Sequence, residues 1–325
     1  MIPFLLRRLL WFALTLFCVV TLSFFLMRAV KGGPFDGERD PDPAVKANIE
    51  ARYHLDWPLW KQYFHYVGPF NLDEYGLAGD RSRVFGGVLA GDFGPSYKYK
   101  DYTVNQIIGQ SLPISIALGS VAMFFALVVG LSAWILSALR RGSTVDLLAR
   151  LLATTGIALP NFVIAGFLII LFAFQLDWLP VAGWGSRRQL ILPAIALGAP
   201  FAAYIARLTR TGMLEILSQD HIRTARAKGL PNTTILLRHA IKGGLLPVVS
   251  YLGPATAGIL TGSLVIERLF SIPGTGSFFV ASALNRDYTL AMGVTILYTV
   301  LVYGLNTIVD LAYTFLDPRI KLEDA

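Results

Sequence analysis

Long apolar runs separated by short polar stretches dominate the chain. An uninterrupted apolar run of roughly 18 or more residues is long enough, as a helix, to cross a hydrocarbon core. Six such runs stand out, roughly Leu9–Met27, Ile114–Ala138, Leu147–Phe174, Leu190–Ala206, Leu246–Ile266 and Leu290–Leu311. The pattern predicts an all-α polytopic membrane protein with six transmembrane helices. The fourth run is the weakest, because Pro193 and Pro200 interrupt it. Proline is tolerated in a membrane helix when neighbours satisfy the freed carbonyls, and the alternative is a re-entrant segment. Arg7 and Arg8 ahead of the first run resemble the start of a signal peptide. That run is longer than the apolar core of a signal peptide and lacks an Ala-x-Ala exit, so a retained anchor is expected.

Charge orients these runs. If the N-terminus faces the cytoplasm, the inner segments carry Arg7, Arg8, Arg140, Arg141, Arg150, Arg207, Arg210, Arg223, Arg226, Lys228, Arg238, Lys242, Arg319 and Lys321. The short outer loops then hold only Arg187, Arg188, Arg268 and Arg286. Basic residues favour the cytoplasmic side, which gives both termini inside. The same distribution accounts for the net charge of +7, so nucleic-acid binding is not expected. Only 15% of the 325 residues are charged and 54% are hydrophobic, which excludes a disordered chain and an ordinary soluble globule. The single cysteine, Cys18, excludes an internal disulfide framework and a multi-cysteine metal site. Lying inside the first run, it is expected to act as a small packing residue.

Between the first two runs lies a long outer segment, Lys31 to Ser111, with nine basic and eleven acidic residues. The division expected is therefore a tail and first helix over 1–30, an extracytoplasmic segment over 31–111, a five-helix core over 112–316 and a cytoplasmic tail over 317–325. Tyr53, Trp57, Trp60, Tyr63, Phe64, Tyr66 and Tyr97 make the outer segment aromatic, which suggests a small folded cap partly lying on the membrane. It reads equally as a surface that receives a partner or as a lid over helix ends. Pro58 is placed in the first turn of a short helix there.

The sharpest local signal is in the inner segment 207–246. Ser218 or Asp220 can cap a helix that ends at Gly229, with Pro231 preventing continuation. Ile222, Ala225 and Gly229 share one small face that could seat against another protein, with Arg223, Thr224, Arg226 and Lys228 around it. Asn232 can cap a second piece over Thr233–Ile241, and Gly243 and Gly244 permit a bend. The element reads as an elbow that transmits force, or as a basic loop lying on anionic lipid. On the outer side, Glu267 leads into Pro273, Gly274 and Gly276, a tight turn. A short helix with Phe278 and Phe279 dipping toward the membrane follows, and Asn285, Arg286 and Asp287 return the chain to the last run. This reads as a scoop at the mouth of a pathway or as an interfacial loop. Gly253, Ala257, Gly258 and Gly262 in the fifth run permit close helix approach, at a pathway, at a subunit interface or in ordinary packing. Asp310 is the main ionisable group expected at membrane depth, near the inner end of the sixth run. No phosphate-binding Gly-x-x-x-x-Gly-Lys-Ser/Thr loop, zinc-protease motif or nucleophile elbow occurs. A motor, if there is one, must sit on another chain; the rival classes are a self-contained secondary carrier or channel and a membrane scaffold.

Several segments taken in order resemble one family. They are Phe4-Leu5-Leu6-Arg7-Arg8-Leu9-Leu10, Leu59-Trp60-Lys61-Gln62-Tyr63, Gly91-Asp92-Phe93-Gly94-Pro95-Ser96-Tyr97, Leu159-Pro160-Asn161-Phe162, Ile222-Arg223-Thr224-Ala225-Arg226-Ala227-Lys228-Gly229 and Glu267-Arg268-Leu269-Phe270-Ser271-Ile272-Pro273-Gly274-Thr275-Gly276. Together they resemble the membrane permease subunit of a bacterial ABC importer of the dipeptide/oligopeptide/nickel class. The general ABC permease pattern of Glu-Ala-Ala, Gly and Ile-x-Leu-Pro is degraded here to Arg223-Thr224-Ala225, Gly229 and His239-Ala240-Ile241-Lys242. That favours the peptide class over sugar or amino-acid importers. The resemblance implies a type I ABC importer permease fold in the bacterial inner membrane. It implies a second homologous permease, two cytoplasmic ATPases carrying ATP and Mg, an external solute-binding protein, and no cofactor on this chain. Its 220–229 segment would couple to the ATPases. Short peptides are the implied cargo, with nickel chelates, glutathione and oligosaccharides as alternatives.

Overall fold

The computed structural model describes residues 2–29, 33–35, 50, 51, 53–68, 86–139, 142–260 and 264–316. Apolar runs become helices because a backbone with no water around it must satisfy its own polar groups. The long elements are α1 (Ile2–Ala29), α3 (Val104–Leu139), α6 (Arg187–Leu217), α10 (Leu246–Leu260) and α13 (Tyr288–Leu316). Between them lie α2 (Leu59–Val67), α4 (Thr144–Ala158), α5 (Asn161–Leu168, continuing as a π-helix over Ile169–Gln175) and α7 (Asp220–Ala227). Then come α8 (Asn232–Thr234, continuing as a π-helix over Ile235–Ala240), α9 (Ile241–Gly244), α11 (Leu264–Leu269) and α12 (Thr275–Leu284). Five helices among the described residues are long and apolar enough to cross a membrane, or up to six if the bent pair α4 and α5 is one span.

One of the six expected runs behaves differently from its pattern. The third is broken: α4 and α5 meet at a bend of 113°. Proline disfavours helical geometry in the residue before it, and Leu159 is extended at φ −87°, ψ 131° ahead of Pro160. The fourth, which holds two prolines, is the continuous helix expected, 31 residues long, and not a re-entrant segment. A reciprocal capping box starts it, with Ser186 accepting from the Gln189 backbone and the Gln189 side chain accepting from the Ser186 N–H.

The residues group into two packing units. One comprises 114–276 with 304–325, and α6 is its spine, touching α4, α5, α9, α10 and α11. Its largest cluster gathers Leu118, Leu192, Leu197, Ile259, Ile266 and Phe270. Backbones meet closely at glycine. A Cβ on Gly198 would lie 2.5 Å from the Ala122 carbonyl oxygen, and one on Gly212 would lie 2.4 Å from that of Gly244. Gly243 and Gly244 thus permit close helix contact, and α9 ends at Gly244 with a turn at Leu245 before α10.

The other unit comprises 1–113 with 277–303. Phe24 of α1 is fully buried and meets Tyr63 of α2 edge-on at 5.3 Å. Gln62 ties the layer together, accepting from Arg28 Nε at 2.9 Å and donating to the Leu55 and Trp57 carbonyls. Pro58 is the residue before α2 rather than inside its first turn. α1 is bound along one face only, so Cys18 is exposed instead of packed. Phe35, Tyr53 and Tyr97 stack against one another at 4.9–5.7 Å.

Burial pushes the Tyr97 hydroxyl up to about 12. A phenol whose folded value is raised favours the folded state of the segment around Tyr97 below the ordinary tyrosine range. That contribution is lost as pH climbs toward 12. In a difference ultraviolet titration of wild type against Tyr97→Phe, the missing phenol is expected to ionise after the exposed tyrosines. Ionisation among the first group would contradict this packing.

Candidate coupling and translocation site

α7 is short, polar and placed two residues after the spine helix α6 ends. Its start has no side-chain cap. Gln219 occupies the capping position, Ser218 instead bonds back to the Glu215 carbonyl, and Asp220 is the first helical residue. Ile222 is fully buried and Ala225 nearly so. Both pack with Met213, Ile235, Leu236 and Ala240 of the same chain. This reverses the expected orientation: the small apolar face is the seat of the helix, because Met213 and Ile235 leave it no access to a partner. The face open to a partner carries Asp220, Arg223, Thr224, Arg226 and Lys228, all exposed. Arg223 pairs with Asp220 at 3.2 Å, and Thr224 donates to the Asp220 carbonyl at 3.0 Å. Gly229 closes the helix at φ +73° with open space around its Cα, as the spacing anticipated.

The elbow that follows α11 is built on a buried carboxylate. Glu267 has no exposure; Ser115 of α3 donates to its Oε1 at 2.8 Å. The Ser115 hydroxyl in turn accepts from the Thr275 N–H at 2.9 Å and lies 3.0 Å from the Thr275 hydroxyl. A Cβ on Gly274 would fall 2.4 Å from Glu267 Oε2, and one on Gly276 would fall 3.0 Å from it. These glycines let the chain wrap the carboxylate. Pro273 is exposed at the turn. Phe278 and Phe279 do not dip outward; they pack on Val104, Ile107 and Leu290, with Phe278 edge-on to Tyr99 at 5.6 Å.

Asp287 is a second buried carboxylate. It accepts from the Leu290 N–H at 3.2 Å, capping α13. It also accepts from the Ser96 hydroxyl, the Tyr97 N–H at 3.2 Å and the Lys98 N–H at 3.4 Å. Asn285 is exposed, and Arg286 takes the left-handed conformation at φ 57°.

The small residues of α10 divide between two faces. Gly253 is buried, and a Cβ there would lie 2.0 Å from Val309. Ala257 is also buried. Both therefore serve packing inside the chain and do not line an interface. Pro254 and Gly258, one turn apart, are exposed, and nothing lies within 4 Å of a Cβ on Gly258. Gly262 lies outside the described residues.

Sequence reasoning missed the acceptor network of Asp146, buried on α4 and bonded to the Ser137 hydroxyl and the Gly142 N–H. It also missed Ser115 and Ser96. The available signal was a carboxylate adjoining a Gly- or Pro-rich turn, as in Glu267 before Pro273.

Residues 126–322 match the family model described as "binding-protein-dependent transport system inner membrane component". The chain is 47% identical over 323 residues to the oligopeptide transport system permease protein OppB of Escherichia coli K12, covering 99% of this chain and all of that protein. It is 42% identical over 322 residues to the dipeptide transport system permease protein DppB of Bacillus subtilis, covering 99% of each. An inward-facing structure of the MetNI methionine ABC transporter superposes with a TM-score of 0.55 at 18% identity, over 65% of this chain and 96% of that one. That likeness is one of fold.

Two packing tests follow. Gly253→Val is expected to cost about 1–3 kcal/mol by overpacking and to lower the melting temperature of the purified chain, whereas Gly258→Ala leaves it unchanged. Equal melting of the two variants would refute the division of faces. Glu267→Ala is expected to cost about 1–3 kcal/mol for each buried donor left unpaired. A wild-type melting curve for that variant would show that the carboxylate does not hold the elbow.

Proposed function

The chain belongs to the family of binding-protein-dependent transport system inner membrane components, and from that membership we propose how it works as a peptide importer's permease. It is a multi-pass membrane subunit without catalytic activity of its own. It serves an ABC importer of short peptides, in line with full-length identity of 47% to an oligopeptide permease and 42% to a dipeptide permease. That full-length identity carries the reading, and it favours peptides over nickel chelates, glutathione or oligosaccharides.

The finer arrangement is our reading of the charge pattern and the site. Six spans run with both termini in the cytoplasm, α4 and α5 together making the third. An external binding protein delivers peptide to the outer side, and a second, similar permease forms the other wall of the pathway. Two cytoplasmic ATPases bind ATP and Mg and meet this chain at α7. The mechanism rests on how α7 is seated. Ile222 and Ala225 fix it to α6 and to the helical segment 232–244, so displacement of its polar face moves the spine. Asp220, Arg223, Thr224, Arg226 and Lys228 form the face that engages the ATPase. Gly229 ends the helix so that Leu230-Pro231 can turn back. The exposed Pro254 and Gly258 strip on α10 supports a smooth wall toward the second permease or the pathway.

The importer reconstituted with its partner subunits is expected to take up a labelled tripeptide only with ATP and binding protein present. Vesicles holding this chain alone should show no flux. Flux through the chain alone would overturn the importer in favour of a carrier, and uptake of a nickel chelate without peptide would overturn the cargo. Within that system, Arg226→Glu with Lys228→Glu is expected to leave the chain folded while ATP hydrolysis no longer drives uptake. Gly229→Pro should do the same and also weaken assembly, since proline cannot adopt φ +73°. Ala225→Glu is a different case: it strikes the buried seat and should destabilise the chain itself. Wild-type uptake in the charge-reversed variant would refute the docking face.

A further inference from the structure

A pocket of about 390 Å³ opens between the last turns of α3, the helix α4 and the C-terminal half of α6. Arg150, Arg207 and Arg210 line it together with the apolar side chains of Ala153, Ile157 and Ala206. The peptide-import reading uses none of these residues. We propose that this pocket holds the phosphate headgroup of one anionic phospholipid, from the leaflet on the α7 side of the membrane.

Charge makes the first part of the case. No acidic residue lines the pocket among the described residues. The nearby carboxylate, Asp146, has a side chain only 3% exposed. It is already engaged by the Ser137 hydroxyl and the Gly142 N–H. Arg150 reaches it at 3.4 Å and Arg210 at 3.7 Å. One carboxylate facing three guanidinium groups leaves an excess of positive charge. Arg207, lying over the Tyr204 ring at 4.6 Å, lines the pocket beside them. Guanidinium groups donate in a planar fork that matches phosphate oxygens.

Position and shape make the second part. Arg210 is three residues before Met213, on which α7 is seated, so the basic end of the pocket lies at the α7 end of the spanning helix. Basic pockets between helices at that depth suit lipid headgroups. Around the arginines the lining is largely a row of apolar side chains, Ala133, Ala149, Ala153, Ile157, Ala158 and Ala206. A free anion has no use for that row; an acyl chain does. The proposal depends on membrane embedding and not on the cargo, so it can fail while peptide import stands, and the reverse.

The test uses the full chain in nanodiscs made from phosphatidylglycerol, phosphatidylcholine or a mixture, released for native mass spectrometry. Wild type is expected to retain one phosphatidylglycerol in preference to phosphatidylcholine. Arg150→Gln with Arg207→Gln, both at exposed side chains, should reduce that retention by about tenfold or more, as expected for two basic contacts to an anionic headgroup. Ala153→Trp, which fills the pocket, should abolish it. Equal retention of the two lipids, or wild-type retention in the double arginine variant, would overturn the proposal. Displacement of the lipid by inorganic phosphate would overturn it as well, because the pocket would then take the free anion. Should the tryptophan variant fail to fold, the double arginine variant decides alone.

Discussion

The helical core depends on backbones coming into contact where no side chain stands between them. Lipid tails are as apolar as leucine, so burying apolar area drives helix association weakly inside a bilayer; close packing has to supply it. Along the spine helix α6 this happens at both ends of its length. Gly198 meets the Ala122 carbonyl, and Gly212 meets that of Gly244. α10 repeats the device against Val309 through Gly253. These contacts set how near α3, α9 and α13 can come, and the larger residues of the core fill the space that remains.

Polar groups are then handled by local closure. Glu267, Asp287 and Asp146 are all buried. Each accepts from a serine hydroxyl: Ser115, Ser96 and Ser137 respectively. A charge removed from water is costly unless it is paired or bonded. Here the bonds come from turns and helix starts, where backbone N–H groups lack partners. The expensive group and the orphan donors satisfy each other. Such carboxylates are therefore better understood as pins for turns than as stations in a proton path.

Much of this was legible from residue spacing. The apolar runs lie inside α3, α6 and α13, although α3 starts well before its run and α6 extends well beyond its own, and Gly229 announces the end of α7. What failed to show was direction. Periodicity places Ile222 and Ala225 on one face, but it cannot say whether that face turns toward a partner or toward Met213. The same ambiguity affects α10, where Gly253 and Gly258 look alike in sequence and point to opposite surroundings. Proline was read correctly in one run and missed in another. Pro193 and Pro200 sit within an unbroken helix, whereas Leu159-Pro160 breaks a run that hydropathy reads as continuous. The difference lies in the neighbouring residue: Leu159 gave way to extended geometry, and the helix around Pro193 held because Leu192, Ala194 and Leu197 are locked in the core.

The inward turn of the apolar face changes what α7 can do. A helix that held its partner by burying its own small residues would gain affinity but remain loosely joined to its parent chain. With Ile222 and Ala225 packed on Met213, Ile235 and Ala240, the helix is an integral part of a solid assembly that includes α6 and the segment 232–244. A partner docking there, as proposed, has only exposed polar and charged groups to grip. Such contacts are individually weak and screened by salt. On the coupling role proposed for α7, that combination suits an element pushed and pulled on every cycle: a stiff connection on the side of the permease and a reversible grip on the side of the ATPase. Close-packed interiors transmit displacement because they do not deform continuously, and on that proposal α6 carries it along 31 residues to its N-terminal end, where Gln189 closes the capping box.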